Sequence, residues 1–198
     1  MTLYSVGQEM PRVGLTREKL IEAAGAIADK SGFEQLTLAA LARHYNVSLP
    51  SLYSHVSSAD DLKVGVALSA LEKLSAIAEE AIAGRSGKEA LRALANVHRD
   101  FARLHPGLFH AARYPIDRAS ASGSGGPRLA AITVAMLRGY GLEGDDSVHA
   151  VRLFGSFVLG FSLLEAAGSF GHRSPASDAS WERGIEALDA LIRSWNTH

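Results

Sequence analysis

Apolar and polar residues alternate with a helical period in one segment of the chain after another. In the first of these segments the apolar residues are Leu20, Ala24, Ile27 and Ala28. Their spacing of four, three and one residues places them on one face of an α-helix. Similar stripes recur as far as Trp195, and no segment shows a convincing strand pattern. The pattern predicts an all-α fold with about nine helices.

Polar residues that suit helix starts divide these stripes. Thr16, Thr37 and Ser58 each precede an apolar periodic run, where a side-chain oxygen can accept a hydrogen bond from a free N–H group of the first turn. Ser86 opens a Ser-x-x-Glu capping box before another run. The stretch 115–126 is rich in Ser and Gly, which predicts a flexible loop.

Residues 37–62 contain two short predicted helices joined by a tight turn at residues 45–47. Six apolar residues are spaced to pack these helices on each other and on the first helix: Leu38, Leu41, Ala42, Val47, Leu52 and Val56. The second helix is predicted over Ser48–Val56 and carries hydroxyl, aromatic and histidine side chains on its other side. Such a helix fits a major groove about 12 Å wide. A plain helical hairpin inside a bundle is the alternative.

The segment from Thr16 to Leu62 resembles the N-terminal domain of the TetR family. The resemblance rests on TREKLIEAAGAIADKSGFEQLTL and on VSLPSLYSHVSSADDL, about 47 continuous residues. It implies a three-helix helix-turn-helix domain, here residues 1–60 with residues 1–14 as a flexible arm. A larger helical domain for ligand binding and dimerisation would follow at residues 61–198.

The resemblance also implies roles for single residues. Tyr53 and His55 match phosphate-contacting positions, and Thr37 matches a helix cap that often touches the DNA backbone. With Ser48 at the start of the second helix, the candidate DNA contacts are Thr37, Ser48, Leu49, Pro50, Ser51, Tyr53, Ser54 and His55. Hydroxyl groups and a histidine N–H are suited to base edges and phosphate oxygens.

Charge argues against nucleic-acid binding. The net charge is −1, and the first 58 residues carry five Lys or Arg and five Asp or Glu. Any attraction to phosphate must therefore come from local placement and from doubling in a dimer. Family members commonly have Lys where this chain has Ala59, so one phosphate contact is expected to be lost. Lys63 is a displaced substitute, and Arg12 in the arm is a candidate for the minor groove.

The C-terminal part is similar to one large branch of TetR-like regulators. The similar segments are Leu153–Gly171 and His105–Phe109. In the TetR architecture the last two helices form a four-helix bundle with those of a second subunit, and the apolar stripes near the C-terminus suit that role. Gly155 and Gly160 would allow close approach. The same stripes can also serve the chain's own core.

A ligand pocket is expected among the central helices. Its candidate residues are His98, Phe101, Phe109, His110, Arg113, Tyr114, Phe157 and Glu165. Each of them is also a plausible core or surface residue. His98, His105 and His110 lack the i, i+4 spacing of a helical metal pair, so no metal site and no cofactor are expected.

Other function classes find little support in the sequence. It contains no G-x-S-x-G, Walker A or H-E-x-x-H motif, so an enzyme is not expected. It contains no cysteine and no uninterrupted apolar run of about 20 residues, which favours a cytoplasmic protein without a membrane span. The prediction is a homodimeric regulator, a repressor released from a palindromic operator by a small molecule. A dimeric helical adaptor or ligand-binding protein that does not bind DNA is the alternative.

Overall fold

The computed structural model describes residues 14–195 of the chain. Within that range it contains ten α-helices, one 3-10 helix at Phe33–Gln35 and no strand. The first five helices are α1 Arg17–Ser31, α2 Leu38–Tyr45, α3 Leu49–Leu52, α4 Ala59–Ile82 and α5 Gly87–Leu104. The others are α6 Pro106–Ala111, α7 Arg118–Ser122, α8 Gly125–Arg138, α9 Gly144–Ala166 and α10 Ser177–Ser194. The all-α prediction is confirmed. The predicted arm with Arg12 lies outside the described residues, apart from Gly14.

Side-chain caps start three helices where the sequence predicts them. The hydroxyls of Thr16, Thr37 and Ser58 each accept a hydrogen bond from the backbone N–H three residues later, at 3.0–3.3 Å. The predicted capping box at Ser86 is wrong, because Ser86 precedes α5 without making a side-chain capping hydrogen bond. Local sequence therefore determines these three helix starts, and tertiary packing has to hold the start of α5.

The predicted loop at 115–126 is wrong in its central part. Residues 118–122 form α7, which is the helix missing from the predicted nine. Asp117 caps it by accepting hydrogen bonds from the backbone N–H groups of Ala119 and Ser120 at 2.9 and 3.0 Å. An aspartate cap can start a helix in a stretch whose Ser and Gly content favours a loop.

The long helix α4 is the centre of the molecule. It packs on α1 from the N-terminal helices and on α5, α6 and α8 from the C-terminal ones, so one buried core runs through both parts. The predicted domain boundary after residue 60 falls in the first turn of α4. Helix α4 therefore connects the helix-turn-helix part directly to the helices behind it.

The helix α9 is strongly apolar, although little of it is buried. Of the described helices it alone has the length and apolar composition of a membrane span, with a mean hydropathy of 1.5 and 22% of that window buried. The sequence has no uninterrupted apolar run of this length here, because Arg152 and Glu165 interrupt the apolar residues. One such helix is weak evidence for a membrane. Most residues of α9 are at least partly exposed in the single chain.

Candidate DNA-binding surface and domain joint

The turn between α2 and α3 has a defined geometry. Asn46 adopts the left-handed conformation, with φ 52° and ψ 46°, and ends α2. Val47 then donates a backbone hydrogen bond to the Ala42 carbonyl at 3.0 Å. The hydroxyl of Tyr45 donates to the Lys19 carbonyl at 3.0 Å and ties α2 to α1. Asparagine tolerates this conformation better than most residues, so the local sequence favours the turn.

The helix predicted over Ser48–Val56 is shorter than expected. Only Leu49–Leu52 is α-helical, and a turn continues through His55. The backbone hydrogen bonds from Tyr53 to Pro50 and from His55 to Leu52 span three residues, at 3.2 and 2.9 Å. The backbone is thus wound more tightly than an α-helix where the chain bends towards α4.

The inner and outer sides of this segment are clearly separated. Leu52 and Val56 are fully buried against the core. On the other side Tyr53 is 52% and Leu49 40% exposed, although both are large apolar side chains. The other candidate contacts Thr37, Ser48, Pro50, Ser51 and Ser54 are exposed as well, and His55 is half-buried. The segment therefore presents a continuous accessible surface.

The hydroxyls of Ser51 and Ser54 are left to accept hydrogen bonds, whereas the hydroxyl of Thr37 is left to donate one. Ser51 donates to the Ser48 carbonyl at 2.6 Å, and Ser54 donates to the Ser51 carbonyl at 2.8 Å. Their oxygens are left to accept, which suits the amino groups of bases. Thr37 has the opposite arrangement, because its oxygen accepts the capping bond and its proton is left for a phosphate oxygen.

An ion pair holds this segment on the rest of the protein. The Arg17 guanidinium donates two hydrogen bonds to the Asp61 carboxylate at 2.9 and 2.5 Å and a third to the His55 carbonyl at 3.2 Å. Asp61 also accepts from the Ser57 backbone at 2.7 Å. The hydrogen bonds from Arg17 hold the pKa of Asp61 well below its usual value, despite partial burial. Arg17 thus positions the turn after α3.

Lys63 does not replace the cation missing at Ala59. Its ammonium group lies 5.4 Å from the centre of the Phe33 ring and 5.8 Å from that of Tyr114. It also lies 3.7 Å from a carboxylate oxygen of Glu34. These contacts hold Lys63 between α4, the 3-10 helix and the segment after α6, so the suggested substitution is wrong.

Arg43 is a cationic candidate that the sequence analysis did not single out. It is exposed on the last turn of α2, and no ion pair engages it among residues 14–195. Its position one turn before Asn46 was the signal available in the sequence.

A polar cluster joins α1 to the C-terminal helices, and we call it the domain joint. It consists of Asp29, Lys73, His105 and the N–H group of Leu108. One Asp29 oxygen accepts from that N–H at 2.9 Å, and the other lies 2.9 Å from Nδ1 of His105. Nε2 of His105 lies 3.0 Å from the Lys73 ammonium. Because a carboxylate only accepts, Nδ1 carries the proton and Nε2 accepts from Lys73.

Close backbone contact accompanies the domain joint. A Cβ atom on Gly107 would lie 2.1 Å from the Ala28 carbonyl carbon and 2.4 Å from the Asp29 nitrogen. The start of α6 can therefore rest on the end of α1 only because residue 107 has no side chain.

Four of the predicted pocket residues lie along α6 and after it. Phe109 is buried, with the Arg113 guanidinium 4.1 Å from its ring centre. Tyr114 packs edge-on against Phe33 and donates a hydrogen bond to Asp60 at 2.6 Å. His110 is exposed and lines a cavity between α1, α6 and α9.

The other four belong to α5 and α9. Phe101 is buried. Nδ1 of His98 donates to the Leu94 carbonyl at 2.9 Å, its ring lies edge-on to Phe154, and desolvation lowers its pKa. Phe157 stacks on Trp181 with the ring centres 5.3 Å apart. The fourth residue, Glu165, is bound by arginines.

Glu165 is part of an ion-pair cluster between α5, α9 and the start of α10. Its carboxylate accepts from Arg99 at 2.6 and 2.9 Å and from Arg103 at 3.1 Å twice. Asp178, which lies on α10, forms ion pairs with both arginines. The hydrogen bonds from Arg99 lower the pKa of Glu165 to about 2, although burial opposes the shift. This carboxylate therefore already has its partners.

Comparison with known proteins matches both parts of the chain. Residues 91–188 match the family model described as "Tetracyclin repressor-like, C-terminal domain". An uncharacterized HTH-type transcriptional regulator of Mycobacterium tuberculosis is 34% identical over 78% of this chain and 72% of its own length. The uncharacterized HTH-type transcriptional regulator YobS of Bacillus subtilis is 32% identical over 93% of each chain.

A solved structure shows the same fold. It is the TetR family protein ActR of Streptomyces coelicolor in complex with actinorhodin, with a TM-score of 0.68 and 20% identity. The match covers 94% of this chain and 100% of that one. At this identity the likeness concerns the fold alone.

Proposed function

The chain belongs to the TetR family of HTH-type transcriptional regulators, and from this premise we propose that it is a homodimeric repressor of a palindromic operator. A small-molecule effector releases it from the DNA. We expect no catalytic activity, and we expect the protein to act in the cytoplasm.

The observation that carries the proposal is the exposed surface on α3 and the following turn. Leu52 and Val56 bury the inner side, while Tyr53 and Leu49 remain exposed. The hydroxyls beside them offer acceptors to bases and, at Thr37, a donor to phosphate. Because these side chains and the hydroxyls are exposed together, the whole outer side of the segment is accessible to a DNA groove.

Exposed apolar residues on α9 and α10 support the proposed dimerisation. Val148 and Leu164 on α9 and Leu191 on α10 are each 45–50% exposed. A Cβ atom on Gly155 or Gly160 would meet no atom within 4 Å, so there is open space beside α9 at both positions in the single chain. A second copy packed there in a four-helix bundle would cover the apolar surface. The two copies of α3, which we call the reading helices, would then lie about 34–36 Å apart, one turn of DNA.

An effector changes DNA binding only if it binds one arrangement of the dimer more tightly than the other. ActR is described in complex with actinorhodin, a small molecule, and its fold is that of this chain. We propose that an effector bound among the central helices tilts α4 and changes the spacing of the reading helices. A coupling of this kind typically lowers DNA affinity by about 5- to 150-fold.

Selection of DNA from a random duplex library on the purified full-length chain tests the proposal. We expect enrichment of an inverted repeat whose half-sites are about one helical turn apart. Enrichment of no sequence from a folded dimer would favour the adaptor without DNA binding.

Two substitutions on the reading surface are expected to have different effects. Tyr53→Phe removes one hydroxyl suited to phosphate, so affinity should fall about 3- to 10-fold on every DNA sequence, or ~1 kcal/mol. Ser51→Ala should instead change the preferred base at one position in each half-site. Fluorescence anisotropy on the selected operator and on single-base variants measures both. Unchanged operator affinity in both variants would contradict the placement of the reading helix.

A charge on α10 is expected to weaken the dimer. Leu191→Glu places a carboxylate on the exposed apolar face and should raise the dimer dissociation constant about tenfold or more. The matched control is Leu104→Glu on α5, because Leu104 is 72% exposed but lies outside the two proposed interface helices. Sedimentation velocity over a concentration series measures the constant. Equal effects of the two substitutions would place the interface elsewhere.

A further inference from the structure

A cavity of about 500 Å³ lies where the end of α1, the start of α6 and the end of α9 meet, and we call it the junction cavity. Small-molecule sites in proteins commonly have volumes of about 300–1,000 Å³ and mainly apolar walls. Most of the wall here is apolar: Ala28, Phe33, Pro106, Leu163, Ala166 and Ala167. The size and the lining suit a compact apolar molecule.

The charges around the cavity favour a neutral occupant. Asp29 lines it, but both oxygens of its carboxylate already have donors, Leu108 N–H and His105 Nδ1. His110 is the other ionisable residue in the wall, and it faces solvent. A charged ligand would lose hydration without gaining a free counter-charge, so it would be disfavoured.

The walls belong to both parts of the molecule. Ala28 and Phe33 belong to the helix-turn-helix part, whereas Leu163 and Ala166 belong to α9. Next to the cavity, Gly107 holds α6 directly on α1, and Asp29 fixes that contact. A molecule in the cavity would touch α1 and α9 at once, beside the contact between α1 and α6.

We propose that the junction cavity binds a neutral, mainly apolar small molecule, and that the bound molecule changes the angle between α1 and the C-terminal helices. This site is separate from the effector site proposed among the central helices. The binding step stands on the cavity alone, and its effect on DNA rests on the proposed function.

The neutral dye Nile red tests the binding step on the full-length chain. We expect a saturable rise in its fluorescence, with one dye per chain. Ala166→Phe should fill the cavity and weaken dye binding at least tenfold. Ala130→Phe on α8 is the matched control, because Ala130 is also an exposed helical alanine and should leave binding unchanged. If Ala166→Phe lowers the melting temperature, Ala167→Leu replaces it as the smaller filling substitution. No saturable binding, or equal binding by filled and control variants, would overturn the proposal.

Operator affinity measured with and without the dye tests the coupling. We expect Nile red to weaken binding of the selected operator about 5- to 150-fold in the wild type and not in Ala166→Phe. Dye binding with unchanged operator affinity would overturn the coupling while the proposed function stands. Failure to bind any DNA without dye would instead contradict the proposed function, and the fluorescence result would still decide whether the cavity binds.

Discussion

Replacing Arg99 with Met is expected to lower the free energy of unfolding by about 3 kcal/mol at pH 7. The Arg99 side chain is 6% and the Glu165 side chain 13% exposed, so their pair is screened little by solvent. The guanidinium also lies 4.9 Å from the Trp181 ring centre and 5.3 Å from that of Phe161. Methionine keeps part of the packing but leaves the buried carboxylate without its main partner.

The matched control for this substitution is Arg103→Met. Arg103 binds the same carboxylate, at 3.1 Å, but its side chain is 44% exposed. An exposed ion pair contributes about 0–1 kcal/mol, so the control should lose less than about 1 kcal/mol. Urea denaturation of both variants gives the comparison. Equal losses would mean that burial does not determine the strength of this cluster.

The effect of Arg99→Met also depends on pH with a defined sign. The pKa of Glu165 is about 2 in the folded protein, below its ordinary value of 4.5. A lowered carboxylate pKa stabilises the fold fully above the unfolded value, and this contribution is lost as the pH falls towards the folded value. The difference between wild type and Arg99→Met should therefore be constant from pH 7 to about 5 and shrink between pH 4.5 and 2. A difference that grows on acidification would contradict the assignment to Glu165.

Local signals in the sequence were sufficient for most of the fold. Thr16, Thr37 and Ser58 form the expected caps, and Asn46 forms the expected turn. These predictions hold because a cap or a left-handed turn involves residues only a few positions apart. The prediction was wrong at α7. The Ser and Gly content of residues 115–126 favoured a loop, and the helix cap at Asp117 was given too little weight.

The parts that could not be predicted depend on residues distant in sequence. Arg99 and Glu165 are 66 positions apart, and each alone was an ordinary charged residue until the fold brought them together. Lys63 was a candidate DNA contact on the basis of its position in the sequence alone. Its contact with the ring of Tyr114, a residue distant in the sequence, became visible only in the fold. The length of α3 depended likewise on where the chain has to turn towards α4. Helix stripes do not determine which helices meet, and so the candidate pocket residues separated into several places.

Replacing Gly107 with Ala is expected to lower the free energy of unfolding by about 3 kcal/mol. The added methyl group would lie 2.1–2.4 Å from backbone atoms of Ala28 and Asp29, which cannot rotate away. Overpacking typically costs about 1–3 kcal/mol, and a clash with backbone belongs at the upper end. The start of α6 must move off α1, which also lengthens the hydrogen bond from Leu108 N–H to Asp29. Thermal or urea denaturation measures the loss, and hydrogen exchange at the Leu108 amide should become faster.

Gly25→Ala is the matched control, because Gly25 lies on α1 in the same contact with α6. Its new methyl group would lie 3.0 Å from a terminal methyl carbon of Leu108, a flexible side chain that can shift by a few tenths of an ångström. Alanine also favours the helix over glycine by about 1 kcal/mol, so the net change should be near zero or stabilising. Only Gly107→Ala should weaken operator binding beyond what its stability explains, because it separates the helices that the domain joint holds together. Normal amide exchange at Leu108 in Gly107→Ala would show that α1 and α6 are not held together there, and the expected loss of operator affinity would then lack its cause.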